Sequence, residues 1–245
     1  MSGPRVDPAA PALPQGDAKR AAVRAMFDRI APRYDALNRL LTAGMDQRWR
    51  RSAVDALALA PGDLVLDLAC GTGDLAELGA RRGARVLGVD MALGMLRGAR
   101  RRGVPAHLAQ GDAEALPLRD GAVQAVVCGF ALRNFSSLEP VFREIARVLA
   151  PGGRLALLEV GRPEGRLARA GHSFYFDRVV PAVGGLLSDR AAYAYLPRST
   201  AYLPPLVAML GALARAGFEA PAHRPILLGA AWLVTAVRGP GRSAA

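Results

Sequence analysis

A short apolar run, Leu64 to Leu68, carries a carboxylate at Asp67 and then turns through Gly71 and Gly73 in the segment Asp67-Leu-Ala-Cys-Gly-Thr-Gly-Asp74. Glycines at such a turn let the backbone fold tightly and approach a ligand closely. Asp90 closes the next apolar run, 17 residues past Gly73. A carboxylate there can accept hydrogen bonds from two ribose hydroxyls. Gly111-Asp112-Ala113-Glu114-Ala115-Leu116-Pro117 follows a third run, and Asp112 can accept from an adenine amino group. A dinucleotide site would carry a third glycine where this chain has Ala76. Asp67, four residues before Gly71, would also repel a pyrophosphate and suit a cationic ligand instead. S-adenosylmethionine has an ammonium, a sulfonium and no phosphate, so the charge pattern favours that methyl donor over NAD. Any one of these acids also reads as a solvated loop residue. Their recurrence at the ends of successive strands argues against that.

The elements that must position these acids alternate. Leu64–Leu68, Arg85–Val89, Ala106–Ala109, Ala122–Cys128 and Arg154–Val160 read as strands. Asp74–Arg82, Leu93–Arg102 and Leu138–Leu149 read as the helices between them. Such alternation means βαβ units and a parallel sheet. Runs such as Val123–Val127 suit strands covered on both faces. Helices precede the array at Lys19–Ile30 and at Met45–Leu59, with Pro32 breaking the first and Pro61-Gly62 ending the second. Residues 162–203, rich in aromatics, interrupt the rhythm as a mostly helical insertion. An insertion after a strand's C-terminal end lies over the ligand crevice. Leu206–Ala216 returns to helix, and two runs, Phe218–Arg224 and Ala230–Val237, close the sheet as a hairpin. Residues 1–18, rich in Pro, Ala and Gly, read as a disordered lead-in. The remainder, residues 19–240, reads as one domain, with residues 19–60 and 162–203 forming a substrate cap.

The 245 residues are 51% hydrophobic and 22% charged, ample for a globular core. The longest apolar run, Ile226–Val237, is shorter than the roughly 18–20 residues that span a bilayer. With no signal pattern at the N-terminus, the expectation is a cytoplasmic protein. Cys70 and Cys128 make no disulfide framework, and the scattered His107, His172 and His223 make no metal site. The net charge of +11 would favour a nucleic acid or an anionic membrane surface. Lys19 is the only lysine, however, and the arginines are spread along the chain, a bias that a GC-rich genome also produces.

Asp67–Asp74, Asp112–Pro117 and Pro151-Gly-Gly-Arg-Leu155 are similar to segments of class I methyltransferases. Three further stretches narrow the resemblance. Met26-Phe-Asp-Arg-Ile-Ala-Pro-Arg-Tyr34-Asp35-Ala-Leu-Asn38 resembles the opening of the ubiquinone/menaquinone biosynthesis C-methyltransferases. Phe130-Ala-Leu-Arg133-Asn134 resembles their Phe-Gly-Leu-Arg-Asn segment, and Tyr193-Ala-Tyr195-Leu-Pro-Arg-Ser199 their Tyr-x-Tyr-Leu-x-x-Ser stretch. The resemblance covers residues 20–220. It implies a Rossmann-like α/β fold with a mostly parallel seven-stranded sheet, a C-terminal β-hairpin and a helical cap. It implies that Thr72, Asp90, Asp112 and Ala113 contact S-adenosylmethionine, joined by Met91 and by Asp67, Gly71, Gly73 and Gly129 around them. Gly129 stands where many members have Ser, and Leu227–Val234 departs from the family's Gly-Gly-x-Val-Ala-Leu-His ending.

The family methylates a ring carbon of a prenylated quinol, and demethylmenaquinol is the acceptor expected here. The ubiquinone-pathway benzoquinol and another small lipophilic acceptor remain alternatives. By the resemblance Arg133, Asn134 and Tyr34 are the catalytic candidates. A guanidinium stays protonated, so Arg133 is expected to stabilise a quinolate or hold a water that takes its proton. The opposing reading is that Arg133 only ties down its loop. Tyr175, Tyr193 and Tyr195 are expected to line the quinol pocket, or else to serve as plain core. A prenyl tail implies peripheral contact with the inner face of the cell membrane. A homodimer is left open. No aromatic–basic interleaving of an RNA-binding type is present, so no nucleic-acid partner is expected.

Overall fold

In the computed structural model, which describes residues 15–161, 163 and 165–240, five parallel strands form in chain order. They are β1 (Leu64–Leu68), β2 (Arg85–Asp90), β3 (His107–Gln110), β4 (Val123–Gly129) and β5 (Leu149–Val160). With β6 (Phe218–Ile226) and β7 (Ala231–Arg238) they make a seven-stranded sheet of order β3-β2-β1-β4-β5-β7-β6. β7 runs antiparallel to both its neighbours, so the chain's last strand slots between β5 and β6. From β1 the chain winds outward to β3, then returns to β4 on the other side of β1. That reversal opens a crevice at the C-terminal ends of β1 and β4.

Alternation along the central strands sends side chains to opposite faces. Leu66, Leu68, Val126, Cys128 and Leu157 pack on α6 (Leu138–Val148) and α10 (Leu206–Arg215). Val65, Ala125, Val127, Ala156 and Leu158 pack on α3 (Met45–Ala56) and α4 (Asp74–Arg81). Burial on both faces is why these strands read as near-continuous apolar runs.

A third cluster stands apart from the sheet. Met26, Ile30 and Leu37, from α1 (Gly16–Ile30) and α2 (Tyr34–Leu41), meet Met95 of α5 (Leu93–Arg101). They also meet Val180 of α8 (Val180–Leu187) and Ala192 and Tyr193 of α9 (Arg190–Ser199). Helices that precede β1 therefore pack against helices that follow β5. α7 (Arg166–Phe174) leads into this group and buries none of its own residues.

Several boundaries differ from those the sequence pattern predicts. α1 starts at Gly16, so the end of the stretch expected to be disordered forms its first turn; residues 1–14 lie outside the described residues. α2 has no counterpart in the pattern, because its eight residues directly follow a proline turn and offer only Leu37 as a buried anchor. β5 begins at Leu149 and carries Pro151-Gly152-Gly153 within it. Pairing with β4 jumps there from Val123–Leu149 to Ala125–Arg154, with Gly152 at φ +75° supplying the left-handed residue. Among the described residues no helix is long and apolar enough to cross a membrane.

Candidate active site

Two cavities meet over the ends of β1 and β4. The first is lined by Gly71, Asp90, Met91, Asp112, Ala113 and Gly129. Asp90 is the organising group. Its Oδ2 accepts from the Gly71 N–H and its Oδ1 from the Ala92 N–H, both at 2.8 Å. One lone pair on each oxygen is thus used, and another remains for a ligand hydroxyl. Burial raises the Asp90 pKa above the usual carboxylate value. Asp112 accepts from the Glu114 N–H at 2.9 Å, and Arg20 of α1 reaches across to Asp112 at 3.3 Å and Glu114 at 2.9 Å. One guanidinium therefore faces three carboxylates in this cavity. That balance suits a ligand with cationic groups and no phosphate.

Asp67, Thr72 and Gly73 do not line the cavity; they build the loop beneath it. Asp67 is fully buried, and its Oδ2 accepts from the Ala76 N–H in the first turn of α4 at 2.8 Å. Its other oxygen has no partner among the described residues. Burial pushes the Asp67 pKa up to about 8, so the ionised partner for a cationic ligand expected from sequence is instead largely a neutral support under the turn. Thr72 turns its hydroxyl to Asp35 of α2 at 2.5 Å. Gly73, at φ +88°, caps α4 with Val104 packed so close that a Cβ would lie 2.9 Å from Val104 Cγ2. Gly129 is similarly pressed: a Cβ there would lie 2.8 Å from Leu75 Cδ1. This chain thus fits glycine where the resemblance sets serine.

The second cavity is lined by Tyr34, Arg50, Arg133, Tyr175 and Tyr193 with an apolar wall that includes Met26, Ile30, Trp49, Val160, Val180 and Leu196. Phe27, Tyr34 and Phe130 line both cavities and form the wall between them. Phe130 sits at φ +60° just past β4, and Ala69 at φ +55° just past β1. Left-handed backbone at non-glycine residues costs free energy and collects where a site is being shaped.

Arg133 is buried and held on three sides. Its Nε donates to Ser199 Oγ at 3.1 Å, its Nη1 to the Phe130 carbonyl at 2.8 Å, and Nη1 also pairs with the buried carboxylate of Glu159. Nη2 is left without a protein partner among the described residues. Asn134, next in sequence, faces the first cavity, and Tyr195 donates to its Oδ1 at 3.4 Å. Tyr195 itself lines neither cavity. Tyr175 bonds the Leu41 carbonyl. Tyr193 is almost wholly buried, its hydroxyl has no partner among the described residues, and its ring packs on Gly184. A buried, unpartnered hydroxyl on a cavity wall is an open position for a ligand.

Three residues of the site are not among the sequence-based candidates. Glu159 is the one acid in Leu155-Ala-Leu-Leu-Glu-Val160, so an ionisable residue in an apolar run is the available signal. Arg50 lies on α3 at helical spacing from the buried Asp46, Ala53, Val54 and Leu57. A charge on the apolar phase of a helix is legible there too. Arg20 gives no such signal, because its carboxylate partners come from a distant loop.

The model of the ubiE/COQ5 methyltransferase family matches residues 15–238. The chain belongs to this family. A ubiquinone/menaquinone biosynthesis C-methyltransferase UbiE from Syntrophotalea carbinolica is 43% identical, covering 89% of this chain and 95% of that one. A demethylmenaquinone methyltransferase from Thermus thermophilus is 49% identical, covering 79% and 91%. Solved structures include a SAM-dependent methyltransferase from Thermotoga maritima at TM-score 0.64 and 20% identity, covering 88% of this chain and 99% of that one. The [4+2]-cyclase SpnF reaches 0.66 at 20% identity, covering 94% and 98%. A cyclase and a methyltransferase on one fold show that the reaction is set by the site, not by the sheet. The cofactor of this methyltransferase is S-adenosylmethionine, and the acid-lined first cavity fits it.

Proposed function

We propose that the protein transfers the methyl group of S-adenosylmethionine to a ring carbon of a prenylated quinol, demethylmenaquinol being the acceptor. The observation that carries this is the pair of cavities joined at Tyr34 and Phe130, one acid-lined and one apolar with cationic and phenolic groups in its wall. The demethylmenaquinone methyltransferase of Thermus thermophilus supports the choice of acceptor.

When bound, the cofactor supplies an electrophilic methyl on a sulfonium. Asp90 takes the ribose hydroxyls and Asp112 the adenine edge, while Gly71 and Ala113 bring backbone close to the ligand. Met91 and Gly129 close the walls around it. On the acceptor side the residues must favour loss of a quinol proton, because a quinolate carries negative charge on its ring carbon. Arg133, fixed by Glu159, Ser199 and Phe130, has Nη2 left to stabilise that charge. Asn134 and Tyr34 orient the hydroxyl or a water that removes its proton. Tyr175 and Tyr193 flank the ring, and Tyr195 acts one step away by holding Asn134. The dry apolar wall favours a step in which opposite charges cancel, and confinement supplies much of the rate.

The helices before β1 and those of residues 165–203 act as a substrate cap over the apolar cavity. Their outer face is the contact with the membrane surface. Leu167 is 88% exposed, Leu186 86% and Phe174 63%. Arg166, Arg169, Arg178 and Arg190, all exposed, lie in the same group of helices, with Asp177 and Asp189 as the acids among them. Exposed apolar side chains and exposed arginines on one set of helices suit an anionic bilayer, which is where a prenyl tail resides. Cytoplasmic placement at the inner membrane face follows from that reading.

The test is methyl transfer from labelled S-adenosylmethionine to reduced demethylmenaquinol and, in parallel, to a demethylated ubiquinol analogue, with vesicle co-sedimentation alongside. Turnover of the first and binding to anionic but not neutral vesicles are expected. Turnover of neither, with the cofactor still bound, would overturn the acceptor. Should the exposed face instead pair two copies, sedimentation velocity will give a dimer and the vesicles will bring nothing down.

A further inference from the structure

Arg133 is not the only guanidinium in the apolar cavity. Arg50 is buried on the inner face of α3, and its Nε faces Asp46, which also lines the cavity, at 3.4 Å and Asp74 at 3.5 Å. Neither Nη has an acceptor among the described residues, yet Arg50 lines the cavity wall. Its guanidinium carbon stands 5.0 Å from the Phe130 ring centroid, and Arg133 donates to the carbonyl of that same residue. Two cations therefore flank Phe130, one over its ring and one on its backbone. Their counter-charges differ. Glu159 pairs with Arg133 alone. Asp74, beside Arg50, also pairs with Arg102 at 2.8 Å and Arg39 at 3.5 Å. Arg50 thus shares Asp74 with other cations and alone pairs with Asp46, and its two terminal nitrogens have no acceptor among the described residues.

We propose that Arg50 is a second acceptor-facing residue, whose Nη groups bind a ring oxygen of the quinol and stabilise its ionised form alongside Arg133. A quinol has two ring oxygens, and a single guanidinium held on three sides serves only one of them. Tyr34 lies on the same wall, and so does Tyr193 with its unpartnered hydroxyl. The cavity therefore collects two cations, one carboxylate, Asp46, and three phenols, Tyr34, Tyr175 and Tyr193, in a largely apolar lining. Burial opposes the charge on Arg50, but Tyr34, Asp74 and Asp46 keep it protonated, in keeping with a permanent cation. The inference rests on the quinol-methylating reading above for the identity of the ligand.

The test needs no turnover. The phenolic probe 4-nitro-1-naphthol changes its visible absorbance on ionisation, so its pKa can be titrated free and bound. The intact protein should lower the bound probe's pKa by about one unit. Arg50→Lys, which keeps a cation, should keep most of that shift; Arg50→Met or Arg50→Gln should lose it while thermal unfolding and cofactor binding show a folded chain. In steady-state assays with demethylmenaquinol the acid limb of the kcat pH profile should move about one unit upward in Arg50→Gln, with activity recovering at high pH. No shift for the intact protein, or an equal shift in Arg50→Gln, overturns the role of Arg50. So does an activity loss that is the same at every pH, which is the mark of a structural ion pair with Asp46 and Asp74. Failure of the intact protein to methylate demethylmenaquinol would overturn the acceptor reading instead, and the probe titration would still decide Arg50.

Discussion

Arg133 and Glu159 form a buried ion pair between the loop after β4 and the end of β5, and the Arg133 backbone N–H also donates to Glu159 at 3.3 Å. One carboxylate thus fixes both the backbone and the side chain of the residue that faces the apolar cavity. Breaking such a pair from one side leaves an uncompensated buried charge. Glu159→Gln should therefore cost about 3 kcal/mol of stability, read by urea unfolding. Arg133→Ala should lower kcat about 100-fold while cofactor affinity holds. Full activity in a folded Arg133→Ala would reduce Arg133 to a strut for its loop.

Asp90 offers a cleaner separation of binding from chemistry. Its two oxygens already accept from Gly71 and Ala92, so Asp90→Asn must turn an amide NH2 toward one of those N–H groups. Cofactor affinity should fall about 10- to 100-fold, the equivalent of one or two hydrogen bonds lost. Calorimetric titration with S-adenosylhomocysteine reads it directly. An unchanged affinity would remove Asp90 from the cofactor site.

Asp67 makes stability depend on pH. Its pKa rises from 3.8 to about 8 on folding, with burial the largest cause. Between those values the folded chain binds the proton that the unfolded chain has lost. The stabilisation is thus fully present below about pH 4 and disappears as pH climbs through about 8. Asp67→Asn keeps the shape without the charge. It should flatten this decline and raise the unfolding temperature at pH 8 more than at pH 6. An identical difference at both pH values would show that Asp67 does not titrate there.

Gly184 sets the position of Tyr193. A Cβ at residue 184 would overlap the Tyr193 ring. Gly184→Ala should push that ring into the apolar cavity, at a cost of about 1–3 kcal/mol for overpacking. The KM for the quinol should rise while cofactor affinity stays constant. A rise in both would mean that the cap and the cofactor cavity move as one.

The alternation of apolar strand and helix, the Asp67–Asp74 turn and the acids closing β2 and following β3 determine the architecture and half of the site from the amino-acid order alone. These features are local, because a strand end, a glycine turn and a helix start lie within a dozen residues and each obeys its own backbone rules. That is why Gly71, Asp90 and Asp112 are legible from the residues as parts of one cavity wall, to which the family resemblance adds Met91, Ala113 and Gly129.

What only the tertiary structure decided is which side chains turn toward ligand and which toward protein. Asp67 and Asp90 look alike in sequence as acids at strand ends. Packing sends one beneath the turn, where burial suppresses its charge, and leaves the other on the cavity wall. Arg133 stands out in sequence by the family resemblance and Arg50 by its place on the apolar phase of a helix, but neither signal shows which carboxylates they meet. The fold gives one a carboxylate from a distant strand, Glu159, that lies 26 residues away, and gives the other Asp46 from its own helix and an Asp74 that it shares with Arg39 and Arg102. Tyr193 and Tyr195 stand two apart on one helix, yet only Tyr193 reaches the apolar cavity. Local pattern follows from backbone geometry acting over a few residues. Ionisation and cavity lining depend on dielectric and on neighbours brought in from distant segments, and those exist only once the chain has closed on itself.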